Sequence, residues 1–202
     1  MKKSAFDIES QQENLTSKVV VGLERISEVF KALLWDQAKA TGLSPIQIQI
    51  LVFVTYHKPE LCKVSYLAQE FNVTKPTISD AVRVLLLKGL VEKKDAGQDS
   101  RSYIIGLTES GHQIVTGIEQ FAAPVSSQVE KMSAEQLSSI YKSLADLIYQ
   151  LNRSGVLSVQ RTCYLCNFYE NQEDGHYCHF LKQKLMETEI RIDCPEFESK
   201  PS

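Results

Sequence analysis

Apolar side chains recur every three or four positions along most of this chain, a spacing that predicts a mainly helical protein. The first such stretch, from Leu15 to Lys39, predicts one long amphipathic helix. Its apolar stripe consists of Val19, Leu23, Ile26, Phe30, Leu33 and Leu34. A second helix is predicted to start at Ser44, because Pro45 and Gln47 complete a typical helix start, and to end before Pro59. It is apolar on most of its surface, so we expect it at the centre of the core.

Two more amphipathic helices are predicted in the second half of the chain. Thr108 is placed to cap the first, which is expected to kink near Pro124. A capping box formed by Ser133 and Gln136 starts the second, which ends before Gly155. The apolar residues of the two stripes are Ile114, Val115, Ile118, Phe121, Leu137, Ile140, Leu144, Leu147, Ile148 and Leu151.

The stretch from Val64 to Leu107 follows a different pattern. It predicts a short helix over Ser65–Phe71, a turn, and a second helix that is capped by Thr74 and stops at Gly89. Two strands follow around a polar tip at 95–99: Leu90–Lys94 and Arg101–Leu107. Leu61–Val64 is a candidate third strand. This order is typical of a winged helix-turn-helix, whose second helix lies in the DNA major groove.

Three motifs in and after this stretch keep one register. They are Leu85-x-x-x-Gly89-Leu90-Val91-Glu92-Lys93, Asp99-Ser100-Arg101 and Leu107-Thr108-Glu109-Ser110-Gly111. Through these motifs the chain resembles the MarR family of bacterial transcriptional regulators, over roughly Thr16 to Asn152. The resemblance implies a homodimer that binds double-stranded DNA. It also implies a small-molecule effector that shifts the spacing of the two recognition helices.

We therefore expect four segments. Residues 1–40 are an N-terminal tail and a dimerisation helix, residues 41–107 are the winged helix-turn-helix region (the DNA-binding lobe), and residues 108–155 are further dimerisation helices. Residues 156–202 are a cysteine-rich C-terminal extension (the extension), which is not a standard part of the family. The expected fold class is mainly α with a small β-hairpin wing, plus a small metal-binding extension. The dimer contacts are implied by the resemblance; the apolar stripes alone show only that these helices pack on something.

Candidate DNA contacts lie on the second helix of the lobe and on the wing. They are Thr74, Lys75, Thr77, Ser79 and Arg83 on the helix, and Lys93, Asp99 and Arg101 on the wing. Hydroxyl groups there can reach base edges or phosphates, and basic side chains can read guanine or hold the backbone. The resemblance implies that Arg101 reaches toward the minor groove and that Asp99 positions it. Asp80 and Val84 stand where relatives often carry basic residues, and Asp80 repels phosphate unless it pairs with Arg83 or a cytosine amine.

The charge of the chain limits how strongly one copy can hold DNA. The formal net charge is −3, which argues against a general polyanion binder. The segment from Thr74 to Arg101 has six basic and four acidic side chains, and its net charge of +2 is low for a phosphate-binding surface. A dimer would double this patch. The low charge leaves a second interpretation open, in which the winged helix binds only proteins.

Four of the five cysteines lie in the extension. Cys163 and Cys166 are separated by two residues, and Cys178 and Cys194 follow. Two thiolates on one turn can bind a single ion, and two later thiolates can complete a tetrahedron, so we expect a structural zinc site. The histidines that flank Cys178, His176 and His179, could replace one thiolate.

Two alternatives to zinc remain open for these cysteines. An iron–sulfur cluster can use the same four thiolates, and the Cys194-Pro195 pair is also seen in ferredoxin-type sites. Free thiols that pair on oxidation are the other alternative. Either one would make the chain a redox-sensing regulator. Cys62 is distant from the others in sequence, and we expect it to be a buried structural thiol.

Enzymatic activity is not expected. The sequence has no Gly-rich phosphate loop, no nucleophile elbow and no histidine–glutamate zinc motif of the hydrolase type. No apolar run approaches the roughly 20 residues that a membrane-spanning helix needs. Met1-Lys2-Lys3-Ser4 is not followed by the apolar segment of a secretory signal. We therefore expect a cytoplasmic protein, whose thiols are kept reduced.

Overall fold

The computed structural model describes residues 3–95, 103–172 and 175–200. The helices are α1 Ile8–Glu13, α2 Leu15–Thr41, α3 Pro45–Tyr56, α4 Val64–Glu70, α5 Lys75–Leu87, α6 Glu109–Ile118, α7 Ala123–Val129 and α8 Ala134–Arg153. The strands are β1 Val91–Asp95, β2 Tyr103–Leu107, β3 Tyr169–Gln172, β4 Gly175–Cys178 and β5 Gln183–Leu185. Short 3₁₀ turns lie at Pro59–Leu61, Glu119–Ala122, Cys163–Leu165 and Glu187–Glu189.

Local geometry confirms the predicted caps of α5 and α8 and the predicted end of α2 near Gly42. The Thr74 hydroxyl accepts from the backbone N–H of Thr77 at 3.3 Å, at the start of α5. At the start of α8, the Ser133 hydroxyl accepts from the Gln136 N–H at 3.2 Å, and the Gln136 side chain accepts from the Ser133 N–H at 2.9 Å. Gly42 ends α2 with a φ of 66°, a left-handed conformation that costs least without a Cβ atom.

The main core is built around α3, as its apolar sequence predicts. Ile48, Ile50 and Leu51 of this helix have no exposed surface. α3 packs against α2, α5, α6 and β2. The other fully buried large side chains of this core include Leu67, Ile78, Leu85, Ile105 and Ile118. Because these residues come from α4, α5, β2 and α6, one core holds the helix-turn-helix, the wing and the helix that follows it.

The wing is a two-stranded antiparallel hairpin. Val91 pairs with Leu107 at its base, and Asp95 pairs with Tyr103 at the far end of the described ladder. The predicted third strand at residues 61–64 is wrong, because the chain forms a 3₁₀ turn there and then enters α4. A backbone hydrogen bond, from the Ile105 N–H to the Cys62 carbonyl at 2.8 Å, joins this segment to the wing.

Cys62 is the buried thiol that its isolated position predicts. It is 2% exposed and belongs to the main core. Burial and the nearby Glu60 carboxylate raise the pKa of the Cys62 thiol to about 11. The group is therefore neutral at physiological pH and a poor nucleophile.

The helices after the wing are more broken than the sequence predicts. The sequence predicts one kinked helix from Thr108 onward, but the chain divides there into α6, a 3₁₀ turn and α7. Pro124 lies in the first turn of α7, where its missing N–H costs little, so the chain restarts a helix there rather than bending one. None of the helices in the described ranges is long and apolar enough to cross a membrane.

The extension contains a second sheet that was not predicted. β3, β4 and β5 form an antiparallel three-stranded sheet in which Tyr169 pairs with Cys178 and Cys178 pairs with Gln183. A small apolar cluster beside it has Cys163, Leu185 and Ile190 as its buried members. The fold class is mainly α, as expected, with one small antiparallel sheet in the wing and another in the extension.

Candidate nucleic-acid interface

The helix α5 has one buried face and one exposed polar face. Ile78, Ala81, Val82 and Leu85 are buried against the rest of the lobe. Four predicted contact residues are exposed on the helix: Lys75, Thr77, Ser79 and Arg83. The apolar face fixes the orientation of α5, so the polar face is presented to the surroundings as a rigid surface.

Thr74 has a structural task in addition to its predicted contact role. Its hydroxyl caps α5 and lies 2.8 Å from the hydroxyl of Thr77. The two hydroxyls therefore form one exposed pair at the N-terminus of the helix. Backbone N–H groups at such a terminus attract anions, and phosphate is the anion that DNA offers there.

The acidic residue on this face is paired. Asp80 lies one turn from Arg83, and the Arg83 guanidinium donates to the Asp80 carboxylate at 3.2 Å. Both side chains are mostly exposed, at 72% for Asp80 and 66% for Arg83, so the pair adds little stability. The guanidinium can therefore exchange this carboxylate for a base edge or a phosphate. While the pair is formed, Arg83 partly neutralises the Asp80 charge that would repel DNA phosphates.

The described part of the wing presents two lysines. Lys93 lies over the ring of Tyr103, with 4.4 Å from its Nζ to the ring centroid. Lys94 pairs with Glu92 at 3.3 Å. Asp99 and Arg101 lie outside the described residues, so their contact roles stay predictions. Lys93 is exposed and keeps its place among the candidate contacts.

The base of the wing is tied to the helices on both sides. The Thr108 hydroxyl donates to the Gly89 carbonyl at 2.6 Å and accepts from the Gly111 N–H at 3.1 Å. Lys88, which the sequence places in the basic patch, donates to the Gly42 carbonyl at 2.8 Å. Lys88 therefore joins α5 to the end of α2 and contributes less free charge to the patch than its position suggests.

The four cysteines of the extension come together around one cavity. Cys163, Cys166, Cys178 and Cys194 all line a cavity of about 300 Å³. All are free thiols. In the part of the chain that the structure describes, no group of three or more His, Cys, Asp or Glu side chains has a geometry ready to hold a metal ion. The four cysteines thus lie around one cavity, but their side chains are not arranged as the ligands of a metal site.

The histidines beside Cys178 have other partners. The Nδ1 atom of His176 lies 2.7 Å from the Tyr169 hydroxyl. The Nε2 atom of His179 lies 3.0 Å from the Glu170 carboxylate. Neither histidine lines the cysteine cavity. Besides the four thiols, its lining includes Glu189, which accepts from the Met186 N–H, and Glu196, which pairs with Lys58.

A cluster around Arg161 joins the extension to the DNA-binding lobe. The guanidinium donates to Asp193 at 2.6 and 2.9 Å, to Glu70 at 2.7 and 3.2 Å, and to the Tyr66 hydroxyl at 2.7 Å. Asp193 also lies 2.9 Å from the Nε2 atom of His57. We call these five residues the Arg161 cluster. Glu70 and Tyr66 belong to α4, the first helix of the helix-turn-helix, so the extension contacts that helix directly.

The charges of this cluster are stabilised by their partners. Burial acts against the charged guanidinium, but hydrogen bonds to Asp193, Glu70 and Tyr66 outweigh it and raise the pKa of Arg161. Burial likewise acts to raise the pKa of Asp193, but Arg161 and His57 outweigh it and lower that pKa. The sequence does not predict this cluster. Arg161 and Glu70 are 91 residues apart, and no local pattern connects them.

The chain is similar in sequence and in fold to known transcriptional regulators. A family model described as the MarR family matches residues 41–102. The HTH-type transcriptional repressor YetL of Bacillus subtilis (strain 168) is 30% identical over 115 residues, which cover 55% of this chain and 67% of YetL. Two solved structures share the fold. Streptococcus pneumoniae FabT in complex with DNA matches at a TM-score of 0.56 and 21% identity, covering 68% of this chain and 98% of FabT. Staphylococcus aureus MarR in complex with salicylate and kanamycin matches at a TM-score of 0.60 and 16% identity, covering 71% of this chain and 97% of that one.

Proposed function

The chain belongs to the MarR family of DNA-binding transcriptional regulators, and from that premise we propose that it acts as a homodimer with one α5 in each of two major grooves. The observation that carries this proposal is the exposed polar face of α5. Its Lys75, Thr77, Ser79 and Arg83 stand on a helix whose opposite face is locked in the main core. Lys75 and Arg83 supply charge, and the hydroxyls supply hydrogen bonds that can discriminate bases.

The wing extends this surface along the DNA. We assign Lys93 to the phosphate backbone beside the major groove. Arg101, with Asp99 to position it, is assigned to the adjacent minor groove. Minor-groove arginines read groove width more than base identity, so the wing contributes affinity and a preference for A·T-rich flanks.

The homodimer is supported by apolar surface that the single chain leaves exposed. Val19 and Ile26 of α2 are 52% and 51% exposed, and Ile140 of α8 is 43% exposed. Ala145 is the one buried residue of α8 within the chain, and every residue of its apolar stripe keeps exposed surface. Apolar stripes of this length on two helices are large for a monomer surface, and a second copy packed on them would remove them from water.

A small-molecule effector fits the same scaffold. The solved structure of Staphylococcus aureus MarR holds that protein in complex with salicylate and kanamycin. In this chain a cavity of about 930 Å³ lies between the end of α3 and the extension, and Tyr56, Tyr66 and Phe197 contribute aromatic surface to it. A planar ligand there would contact both parts of the chain. We propose this cavity as the effector site.

The DNA proposal is tested by selecting a binding duplex from a random library with the full-length dimer. Arg83→Ala should weaken binding to that duplex by about 10- to 100-fold if Arg83 reads a base, equivalent to about 1–3 kcal/mol. If Arg83 holds a phosphate, the slope of log K against log salt should instead flatten by about 1. Fluorescence anisotropy over a salt series measures both.

Lys31→Ala is the matched control, because it removes one exposed positive charge from α2 and changes no residue of α5 or the wing. It should leave affinity and salt slope unchanged. Arg101→Ala should flatten the salt dependence as well, and unchanged binding would remove the wing from the interface. A library that yields no duplex with salt-dependent binding would instead favour a winged helix that contacts only proteins.

A further inference from the structure

The cysteine cavity joins three separate segments of the extension. Cys163 begins a 3₁₀ turn and Cys166 directly follows it, Cys178 ends β4, and Cys194 lies in the last loop. Four free thiols from three segments therefore line one cavity, and no disulfide joins them. The cavity, of about 300 Å³, is large enough for an ion with its thiolate shell.

The extension has too little apolar core to be ordered by packing alone. Its apolar cluster has Cys163, Leu185 and Ile190 as buried members, and its described strands are three or four residues long. Units of this size usually need a disulfide or a metal to supply the missing stability. With the thiols free, a metal is the remaining cross-link.

Two donors point at the cysteine sulfurs. The backbone N–H of Arg191 donates to the Cys163 Sγ at 3.2 Å. The guanidinium of the same residue lies 3.7 Å from the Cys194 Sγ. Four thiolates around a divalent ion carry a net negative charge, which the nearby Arg191 guanidinium reduces.

We propose that Cys163, Cys166, Cys178 and Cys194 bind one zinc ion, and that this ion holds the extension as a brace on the DNA-binding lobe. Four thiolates satisfy the tetrahedral shell of a structural zinc site, with a Zn–S distance of about 2.3 Å. The described side chains are not already arranged as metal ligands, so ion binding has to bring the four thiolates closer together. A Cys-x-x-Cys turn beside short antiparallel strands is typical of zinc ribbons.

The ligands are directly linked to the residues that contact the lobe. Cys194 follows Asp193 in the chain, and its N–H donates to the Arg161 carbonyl at 3.0 Å. The Cys163 N–H donates to the Arg191 carbonyl, also at 3.0 Å. An ion shared by Cys163 and Cys194 therefore fixes the spacing of Arg161 and Asp193, which bind α4 and the end of α3.

The same unit is attached to α8. The Tyr141 hydroxyl donates to the Ile190 carbonyl, and Lys142 pairs with Glu187 at 2.6 Å. The extension thus bridges the helix proposed for dimerisation and the first helix of the helix-turn-helix. An ion that orders the extension limits how freely the lobe moves relative to α8. This inference does not depend on DNA binding, since it concerns contacts within one chain.

The first test is the metal content of the full-length protein, purified under reducing conditions without chelators. We expect one zinc per chain by mass spectrometry, and Co²⁺ exchange should give the intense thiolate-to-cobalt bands of a tetrahedral site. Cys166→Ser and Cys178→Ser should lose most of the zinc. Cys62→Ala is the control, because Cys62 lies in the main core away from the cavity, and it should keep one zinc per chain.

Zinc well below one per chain, with no Co²⁺ bands after reconstitution, would overturn the site. Iron with acid-labile sulfide would overturn zinc as its occupant.

The brace is tested by hydrogen exchange on the wild type before and after zinc removal. Amides of α4 should exchange on the order of tenfold faster without zinc, while those of Ile48, Ile50 and Leu51 in the buried middle of α3 keep their protection. Unchanged exchange in α4 would overturn the bracing of the DNA-binding lobe, while the zinc site itself is decided by the metal analysis.

Discussion

Gly111 shows how one residue can fix the geometry of the wing. It is buried in the first turn of α6, and a Cβ atom placed there would lie 2.0 Å from the Leu90 carbonyl oxygen. That oxygen belongs to backbone at the base of the wing, so it cannot rotate away as a side chain could. The motif Leu107-Thr108-Glu109-Ser110-Gly111 is therefore explained by a close approach of α6 to the wing.

Gly111→Ala is expected to destabilise the chain by about 1–3 kcal/mol, because the added methyl must displace backbone. Gly117→Ala is the matched control in the same helix. A Cβ atom added at Gly117 would meet no other part of the described chain within 4 Å, so alanine should be neutral or stabilise by about 0.5–1 kcal/mol. Urea unfolding at one fixed protomer concentration measures both. Equal effects of the two substitutions would show that α6 does not pack this closely on the wing.

Among the elements, α4 has an unusual neighbour in the extension. It carries the first half of the helix-turn-helix, and its Glu70 is bound by Arg161 from the other end of the chain. The Arg161 side chain is 9% exposed while Asp193 is 47% exposed, so the cluster is closed on the lobe side and partly open on the other. Removing the guanidinium would take away the cation that the Glu70 and Asp193 carboxylates share.

Arg161→Gln should destabilise the chain by about 1–3 kcal/mol, below the value for a fully buried pair because Asp193 is half exposed. Thermal unfolding should show a fall of several degrees. Lys58→Gln is the control, because the Lys58–Glu196 pair, at 3.0 Å, also joins lobe and extension but is exposed. It should change the transition little. A similar fall of the unfolding temperature in both variants would mean that the burial of Arg161 does not make its ion pairs more stabilising than the exposed Lys58–Glu196 pair.

Acid should weaken the same contact. Asp193 has a pKa below its ordinary value of 3.8, so its charged form is favoured by folding. The stabilisation is fully present above that ordinary value and is lost as the pH falls through the lowered pKa. The difference in stability between wild type and Arg161→Gln should therefore be constant near neutrality and shrink only below about pH 4. Urea unfolding of both proteins over a pH series measures it, and a difference that shrinks near neutrality would point to another group.

At the scale of the whole molecule, the exposed stripes of α2 and α8 predict a dimer. Ile140→Glu would place a charge in the apolar face of α8, and we expect the dimer dissociation constant to rise at least about 100-fold. Ser139→Glu is the control, because Ser139 is exposed on the polar side of the same turn. Sedimentation over a dilution series measures both constants. If both variants stay dimeric, the stripe of α8 is not part of the dimer interface.

The sequence alone did not predict α1 or the break between α6 and α7, but it predicted the other helices, their caps and the winged helix-turn-helix. These features depend on interactions within a few residues: apolar spacing, a cap such as Thr74, a left-handed glycine such as Gly42. Local hydrogen bonds of this kind leave a pattern in consecutive residues, so they can be read without a fold. The same holds for the exposed residues of α5, since a buried stripe defines the opposite face.

The contacts between distant residues appear only in the folded chain. The Arg161 cluster joins positions 32 and 91 residues apart, and the cavity brings Cys194 to Cys163 across the strands of the extension. The predicted third strand failed for the same reason, because strand pairing depends on a partner, and in the described ranges the segment at 61–64 meets β2 through one backbone hydrogen bond. Contacts across long loops are selected by the packing of the whole chain, and no local pattern records them.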